Sequence, residues 1–278
     1  MPLSLRDVDF KVDLPDIPST ATVVSHTPPC LKEHRETTRA IAEALDIDLK
    51  GTAQVPHGYA VGSDRGQVEV FAASGAVRAR NAERLTAYDD ERREWSDVER
   101  DDDGTYRLGD DAAKRLTHHG LEVLHRVGIR AEHAGLDVVL GQWAELDEDG
   151  TEVDSGPGRA TVRFSYAVEG LPLIGPGAKT NLHLDPEDGG RSVSVARMFH
   201  VNRGVEATGE VATQSLDEAF SGLFAQSWSG HGLREGQGHI TITGATFGLL
   251  ALPADVLQSF AAPALMVEGR RRVQRADR

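Results

Sequence analysis

Thr161-Val162-Arg163-Phe164-Ser165-Tyr166-Ala167-Val168, Thr180-Asn181-Leu182-His183-Leu184-Asp185 and Ser192-Val193-Ser194-Val195-Ala196-Arg197-Met198-Phe199-His200-Val201 are three runs in which apolar and polar residues alternate. Successive side chains of a strand point to opposite faces, so alternation with period two marks a sheet that rests one face on a core. Loops rich in Gly, Pro and Asp separate the runs. The pattern predicts a three-stranded antiparallel meander with Phe164, Leu182 and Val195 on the core side. On the same alternation Arg163, Ser165, Asn181, His183, Met198 and His200 line the other face. Tyr166 and Arg197 fall among the apolar positions. An inward arginine is costly unless a carboxylate or a bound anion pairs with it. The alternative for Arg197 is an edge strand, from which it reaches solvent.

Working outward, Leu31 to Leu45 carries apolar or small residues at helical spacing, and the helix is expected to end before Gly51. Gln67 to Arg80 reads as a hairpin turning at Ser74-Gly75. Residues 89–104 are densely charged, finish in Asp101-Asp102-Asp103-Gly104, and read as a turn or a surface loop that closes an N-terminal module. A second helix is expected from Asp110 to Val127, with Ala112, Leu116, Val123 and Val127 on its buried stripe and Gly128 as its stop. A strand follows from Asp137 to Leu146, then a loop through Gly156-Pro157-Gly158. Ser215 and Glu218 have the spacing of a capping box and open a third helix that runs to Gly230. A strand at Ile240–Ile242, one or two helical turns between Pro253 and Phe260, and a short strand at Ala264–Glu268 complete the pattern. Helices segregated from antiparallel strands indicate an α+β fold, with helices packed on one face of the sheets and two or three loosely repeated helix-plus-strands modules. The expected divisions are an extended arm at 1–30, an N-terminal module at 31–104, a C-terminal region at 105–269 and a basic tail at 270–278.

The net charge of −14 argues against nucleic acid and anionic membranes as partners. No run approaches the roughly 20 apolar residues that span a bilayer. The N-terminus lacks the basic and apolar regions of a secretory signal. Cys30 is alone, which excludes an internal disulfide and a Cys-rich zinc site. The expected compartment is therefore the cytoplasm. Arg outnumbers Lys by 25 to 5, the usage of a GC-rich bacterial genome.

Few motifs carry chemistry. Gly175-Pro176-Gly177-Ala178-Lys179-Thr180 places Ala178 where a phosphate loop needs Gly before Lys, so it reads as a turn between strands. No nucleophile elbow, zincin motif or dinucleotide fingerprint is present, and no cofactor is expected. His118, Glu122 and His125 share one stripe of the second helix and have the chemistry of metal ligands. Asp111 and Lys114 lie on that stripe too, as on a solvated face, so no metal is expected. Cys30 beside Pro28-Pro29 reads as a small residue ending the arm. The arginines at 270, 271, 272, 275 and 278 read as a solvated tail.

Two further segments carry a family resemblance. They are Glu169 to Lys179, between two strands of the meander, and Phe247 to Gly269, with Leu252-Pro253, Gln258 and Leu265-Met266-Val267-Glu268-Gly269. Together with the helix-plus-strands order they resemble proteins built from PepSY-like or propeptide-like modules, over about residues 110–270. The resemblance implies a helix packed on a small curved antiparallel sheet, and a binding or inhibitory style of function. It transfers no catalytic residue. The leading expectation is a cytoplasmic binding protein that holds a peptide or small molecule on the sheet, with Arg163, Ser165, Tyr166, Asn181 and Arg197 as ligand-binding residues. A homo-oligomer is compatible with this. The alternative is a cofactor-independent cyclase or isomerase of a bacterial biosynthetic pathway, with His183 and His200 as acid and base and Arg163 or Arg197 orienting an anionic group. A purely structural subunit is the third.

Overall fold

The computed structural model describes residues 8–26, 31–91, 94–102, 104–129, 134–201, 203, 205–225 and 239–272. Its centre is β10 (Glu152–Val168), a 17-residue strand. One edge of β10 pairs with β9 (Ala134–Leu146) and the other with β12 (Lys179–Glu187), both antiparallel. β12 pairs with β13 (Ser192–Val201), which completes the expected meander. The sheet continues from β13 through β6 (Val77–Asn81), β5 (Gly66–Phe71) and β4 (Gly58–Ser63) to β3 (Thr52–Val55). The hairpin read at 67–80 is the β5–β6 pair. Strands from both sides of residue 104 thus share one sheet, joined where Arg197 to His200 of β13 lie against Arg80 to Val77 of β6. Residue 104 itself lies in the turn of a small hairpin, β7 (Val98–Arg100) and β8 (Tyr106–Leu108).

Beyond β10 the chain turns tightly at Glu169-Gly170, both at positive φ, into β11 (Leu171–Ile174). β11 runs parallel to β15 (His239–Leu250), and β15 also pairs with β1 (Val8–Phe10) and β17 (Pro263–Arg272). A second sheet joins β14 (Val205–Ala212), β2 (Thr20–His26) and β16 (Phe260–Ala261). The segment read as a free arm therefore contributes a strand to each sheet. Arg270, Arg271 and Arg272 of the expected tail lie in β17. Cys30, Arg275, Arg278 and the stretch from Trp228 to Gly232 lie outside the described residues.

Helices cover one face of the large sheet. Ile41, Ala42 and Leu45 of α1 (Leu31–Ala44 and the turn after it) and Leu116, Val123 and Leu124 of α3 (Asp110–Arg126) pack with Val162, Phe164, Leu182, Leu184 and Met198 in one core. Gly120 brings α3 close: a Cβ there would lie 2.9 Å from Val162 Cγ1. The fold is α+β, as the element order indicates. α4 (Leu216–Ala225) has the expected capping box, with the Ser215 backbone N–H donating to Glu218 Oε2 at 2.8 Å and the Glu218 N–H to Ser215 Oγ at 3.3 Å.

Four local expectations need correction. Residues 82–91 form a helix, α2 (Ala82–Glu91), and residues 98–100 begin a hairpin, so the charged stretch is not one loop. Asn81 caps α2, its Oδ1 accepting from the Arg84 N–H at 3.0 Å. Residues 156–158 are not a loop but part of β10, which bulges between Pro157 and Ala160 and so needs no ladder donor from the proline. The segment from Pro253 to Phe260 is a turn rather than a helix. Finally, the ladder slips between His183 and Leu184: Leu182 faces Met198, His183 faces Arg197, yet Leu184 faces Val195. Ala196 is the extra residue of a β-bulge, and it inverts the alternation of everything after it. Val195 and Ala196 are both buried, Met198 is fully buried and Arg197 is exposed. Arg197 and Phe199 thus point away from the core, and Met198 and His200 toward the helix side, the reverse of the simple alternation.

Phe164 is 1 % exposed. Phe164→Ala should lower the unfolding free energy by about 3–5 kcal/mol in a denaturant titration, the cost of a large cavity. A loss under about 1 kcal/mol would show that this side chain is not in the packed core.

Candidate functional site

The face of the sheet away from the helices carries the candidate site. Cross-strand register arranges it in rows. Thr161, His183, Arg197 and Arg80 lie abreast on β10, β12, β13 and β6. Beside them run Arg163, Asn181, Phe199 and Arg78, and beyond these Ser165 and Lys179. Of the residues expected on this face, Arg163, Ser165, Asn181 and His183 are there. Arg197 joins them through the bulge, in place of His200. The site also takes in Lys179, Arg78, Phe71 and Phe199, which are not among the residues expected to bind a ligand. Lys179 and Arg78 could have been found, because their neighbours Thr180 and Val77 belong to the inward set. Phe199 could not be found without the bulge.

A cleft of about 500 Å³ lies over part of this face. Lys179, Asn181, His183, Arg197 and Phe199 form its floor, and Pro176, Pro253, Ala254 and Asp255 its wall. The wall is fixed in place. Ser74 Oγ donates to the Ala254 carbonyl at 2.6 Å, and Arg203 Nη2 donates to the carbonyls of Leu252 at 3.1 Å and Pro253 at 2.6 Å. Gln258 brackets the same turn, accepting from the Leu252 N–H at 2.9 Å and donating to the Leu250 carbonyl at 2.8 Å. Gly177 packs against this turn so closely that a Cβ would lie 1.8 Å from the Leu252 oxygen. The Gly-Pro-Gly turn is thus a contact surface for the wall. It also brings the segments 169–179 and 247–269 together, with the Ala251 N–H donating to the Ile174 carbonyl at 2.8 Å.

At one end the cleft is aromatic. His57 stacks on Phe71 with ring centroids 4.2 Å apart, and Phe199 meets Phe71 edge-on at 6.5 Å. The Arg78 guanidinium lies 5.2 Å from the centre of the Phe71 ring and 6.0 Å from that of Phe199. Glu69 Oε2 sits 3.5 Å from Arg78 Nη1 and 3.4 Å from His57 Nε2. Lys179 and Arg197 have no ion pair among the described residues, although the chain as a whole carries a charge of −14. His183 Nδ1 lies 3.2 Å from Thr161 Oγ1. Burial, and then the positive charges of Arg197, Arg159 and Arg163, push His183 down to about 4, so the imidazole is neutral at pH 7.

His200 lies on the other side of the sheet. Its Nδ1 is 2.7 Å from Thr180 Oγ1, and Tyr166 Oη is 2.6 Å from the same oxygen. A Tyr–Thr–His line of hydrogen bonds is satisfied with the imidazole neutral, and burial pushes His200 down to about 4 and Tyr166 above its ordinary value. Tyr166 is 5 % exposed and cannot meet a ligand in the cleft. His183 and His200 therefore do not converge on one reacting group. On α3, His118 Nε2 is 3.3 Å from Glu122 Oε1, with both side chains largely in solvent. Among the described residues no three His, Cys, Asp or Glu side chains are placed to hold a metal ion. No described helix is long and apolar enough to cross a membrane.

No family model matches this chain, and no curated protein matches it. Among solved structures it is similar to the crystal structure of an uncharacterized protein from Eubacterium rectale, with 10% sequence identity and a TM-score of 0.50, over 96% of this chain and 81% of that one. At that identity the likeness concerns the fold alone.

The depressed histidines make stability depend on pH. An unfolded histidine binds a proton near pH 6.5, whereas His200 in the folded chain binds it only near 4. Stability from its neutral form is fully present above pH 6.5 and is lost as pH falls from there toward 4. The loss between pH 7 and pH 5 is about 2 kcal/mol at most for this one group. His200→Gln should flatten the slope of unfolding free energy between these two pH values. An equal slope in variant and parent would show that His200 is not held neutral.

Proposed function

We propose that this chain is a binding protein that holds a peptide or small molecule in the cleft on the outer face of its large sheet. The observation that carries this reading is the combination of a braced wall with two cations, Lys179 and Arg197, that have no ion pair among the described residues. A volume of about 500 Å³ lies within the range of roughly 300–1,000 Å³ of small-molecule sites. Phe199, Pro176 and Pro253 supply apolar surface, while Asn181 and Arg197 supply directed donors. We place the protein in the cytoplasm, because a chain whose single cysteine is Cys30 gains nothing from an oxidising compartment.

A cofactor-independent isomerase or cyclase is the second reading, and His183 supports it by lining the cleft beside Arg197. In that reading His183 alone is the base, Arg197 orients an anionic group and His200 has no part. An imidazole near pKa 4 is a weak base at neutral pH, which favours binding over proton transfer.

The two readings separate on His183→Ala. Fragments that perturb the backbone amide signals of Asn181 and Phe199 in NMR spectra serve as probes. A binding protein predicts that such fragments retain affinity within about threefold in His183→Ala and lose at least about tenfold in Phe199→Ala. Fragments that leave every cleft signal unmoved would overturn the binding reading. A probe converted to product by the parent chain and not by His183→Ala would establish the enzyme instead.

A further inference from the structure

The proposed binding role leaves the chemistry of the ligand open, and the distribution of charge and apolar surface in the cleft narrows it. Glu69 lies beside both His57 and Arg78, so the positive charge at the aromatic end is largely offset. Arg197 is not offset. It faces His183 across the β12–β13 ladder, and no carboxylate of a described residue lies within ion-pairing distance of it. Its side chain is exposed to solvent. A ligand that covers it removes that solvent, and a neutral ligand would leave a desolvated cation without compensation. A carboxylate instead meets it with charge-assisted hydrogen bonds, bidentate in the favourable geometry. Asn181, directly opposite Phe199 and two residues from His183 on β12, adds an amide donor.

Beside Arg197 and Asn181 the cleft offers a continuous stretch of apolar surface. Phe199 is half-buried in the floor, with Pro176, Pro253 and Ala254 opposite. Phe71 is buried, whereas Phe199, which meets Phe71 edge-on and lies 6.0 Å from the Arg78 guanidinium, is only half-buried and keeps ring surface for a ligand. Asp255 lines the wall and is exposed. With Arg78 paired to Glu69, the charges left in the lining are Lys179, Arg197 and Asp255, a net of one positive charge, which matches a monoanion and disfavours the dianion of a phosphate monoester.

We propose that the cleft takes an amphipathic monoanion, with a carboxylate on Arg197 and Asn181 and an aromatic or hydrocarbon body between Phe199 and the Pro253–Ala254 wall. This rests on the binding role proposed above. Specificity then divides between two residues: Arg197 reads the charge and Phe199 the body.

The test is isothermal titration of the full chain, with NMR shifts as the locator, using three probes that share a ring: 4-phenylbutyrate, 4-phenylbutanol and phenyl phosphate. The expected result is that the carboxylate binds at least about tenfold tighter than the alcohol and shifts the signals of Asn181, His183 and Phe199. Arg197→Met should abolish that preference without changing the melting temperature, since Arg197 is exposed. Phe199→Ala should weaken acid and alcohol together. Equal binding of acid and alcohol, an unchanged preference in Arg197→Met, or tighter binding of phenyl phosphate would each overturn the inference while leaving the cleft as a binding site. If none of the three shifts a cleft signal at about 10 mM, the inference falls. A set of neutral fragments then decides whether the binding role falls with it: shifts from those fragments keep the role, and their absence removes it.

Discussion

A strand residue has only two directions open to it, and in β13 the choice is set by a single inserted residue. Ala196 opposes no partner of its own in the β12 ladder. Its insertion lets Val195 and Met198 both reach the core, although three positions separate them. Without it, the face that puts Val195 inside would put Arg197 inside as well, against Leu182 and the helices. The bulge removes the conflict between the apolar pattern at the start of β13 and the charge in its middle. It also delivers Arg197 and Phe199 to the face where β6 and β12 already place Arg78, Lys179, Asn181 and His183. The core and the cleft are thus two consequences of one local irregularity. This is a usual place for one, since bulges re-aim side chains next to functional surfaces.

The second requirement is a wall. A sheet face with arginines and a phenylalanine is an ordinary wet surface until something encloses it. Here the enclosure comes from a turn more than 50 residues downstream, brought in by the parallel pairing of β11 with β15. Three independent contacts hold the turn: the Ser74 hydroxyl, the Arg203 guanidinium and the Gln258 amide. Gly177 allows the approach, and a side chain at that position would collide with main chain that has no room to yield. Arg203 is 3 % exposed and satisfies two carbonyls at once. Burying a guanidinium is expensive, and the return is a loop held at a defined height above the floor.

Much of the fold was legible because it rests on periodicity. The meander, α1, α3 and the capped start of α4 follow from alternation, helical spacing and a capping pair. Where the reading failed, a local signal had a second meaning. Gly156-Pro157-Gly158 looks like a loop, yet the same residues serve as a bulge inside a long strand, with Gly156 lying against Trp143. Residues 82–91 form α2 behind the Asn81 cap, but dense charge leaves only a short apolar stripe, ending in Tyr88, to mark the helix. The site was half legible. Asn181, His183 and Arg163 follow from alternation alone. Arg197 and His200 exchanged faces, because no residue type in Ser194-Val195-Ala196-Arg197 marks which one is extra. The wall was not legible at all, since pairing between residues 173 and 249 is a long-range choice that leaves no local trace.

The face assignment of β13 is the claim on which core, cleft and ligand chemistry all depend, and thiol labelling reads it directly. In a Cys30→Ser background, Met198→Cys and Phe199→Cys place single thiols at adjacent positions. With folding checked by circular dichroism, the Phe199→Cys thiol should react with a small maleimide in the native chain, whereas the Met198→Cys thiol should react only after denaturation. The reverse order of reactivity would place Met198 on the open face and Arg197 in the core, and would contradict both the bulge at Ala196 and the cleft built on it.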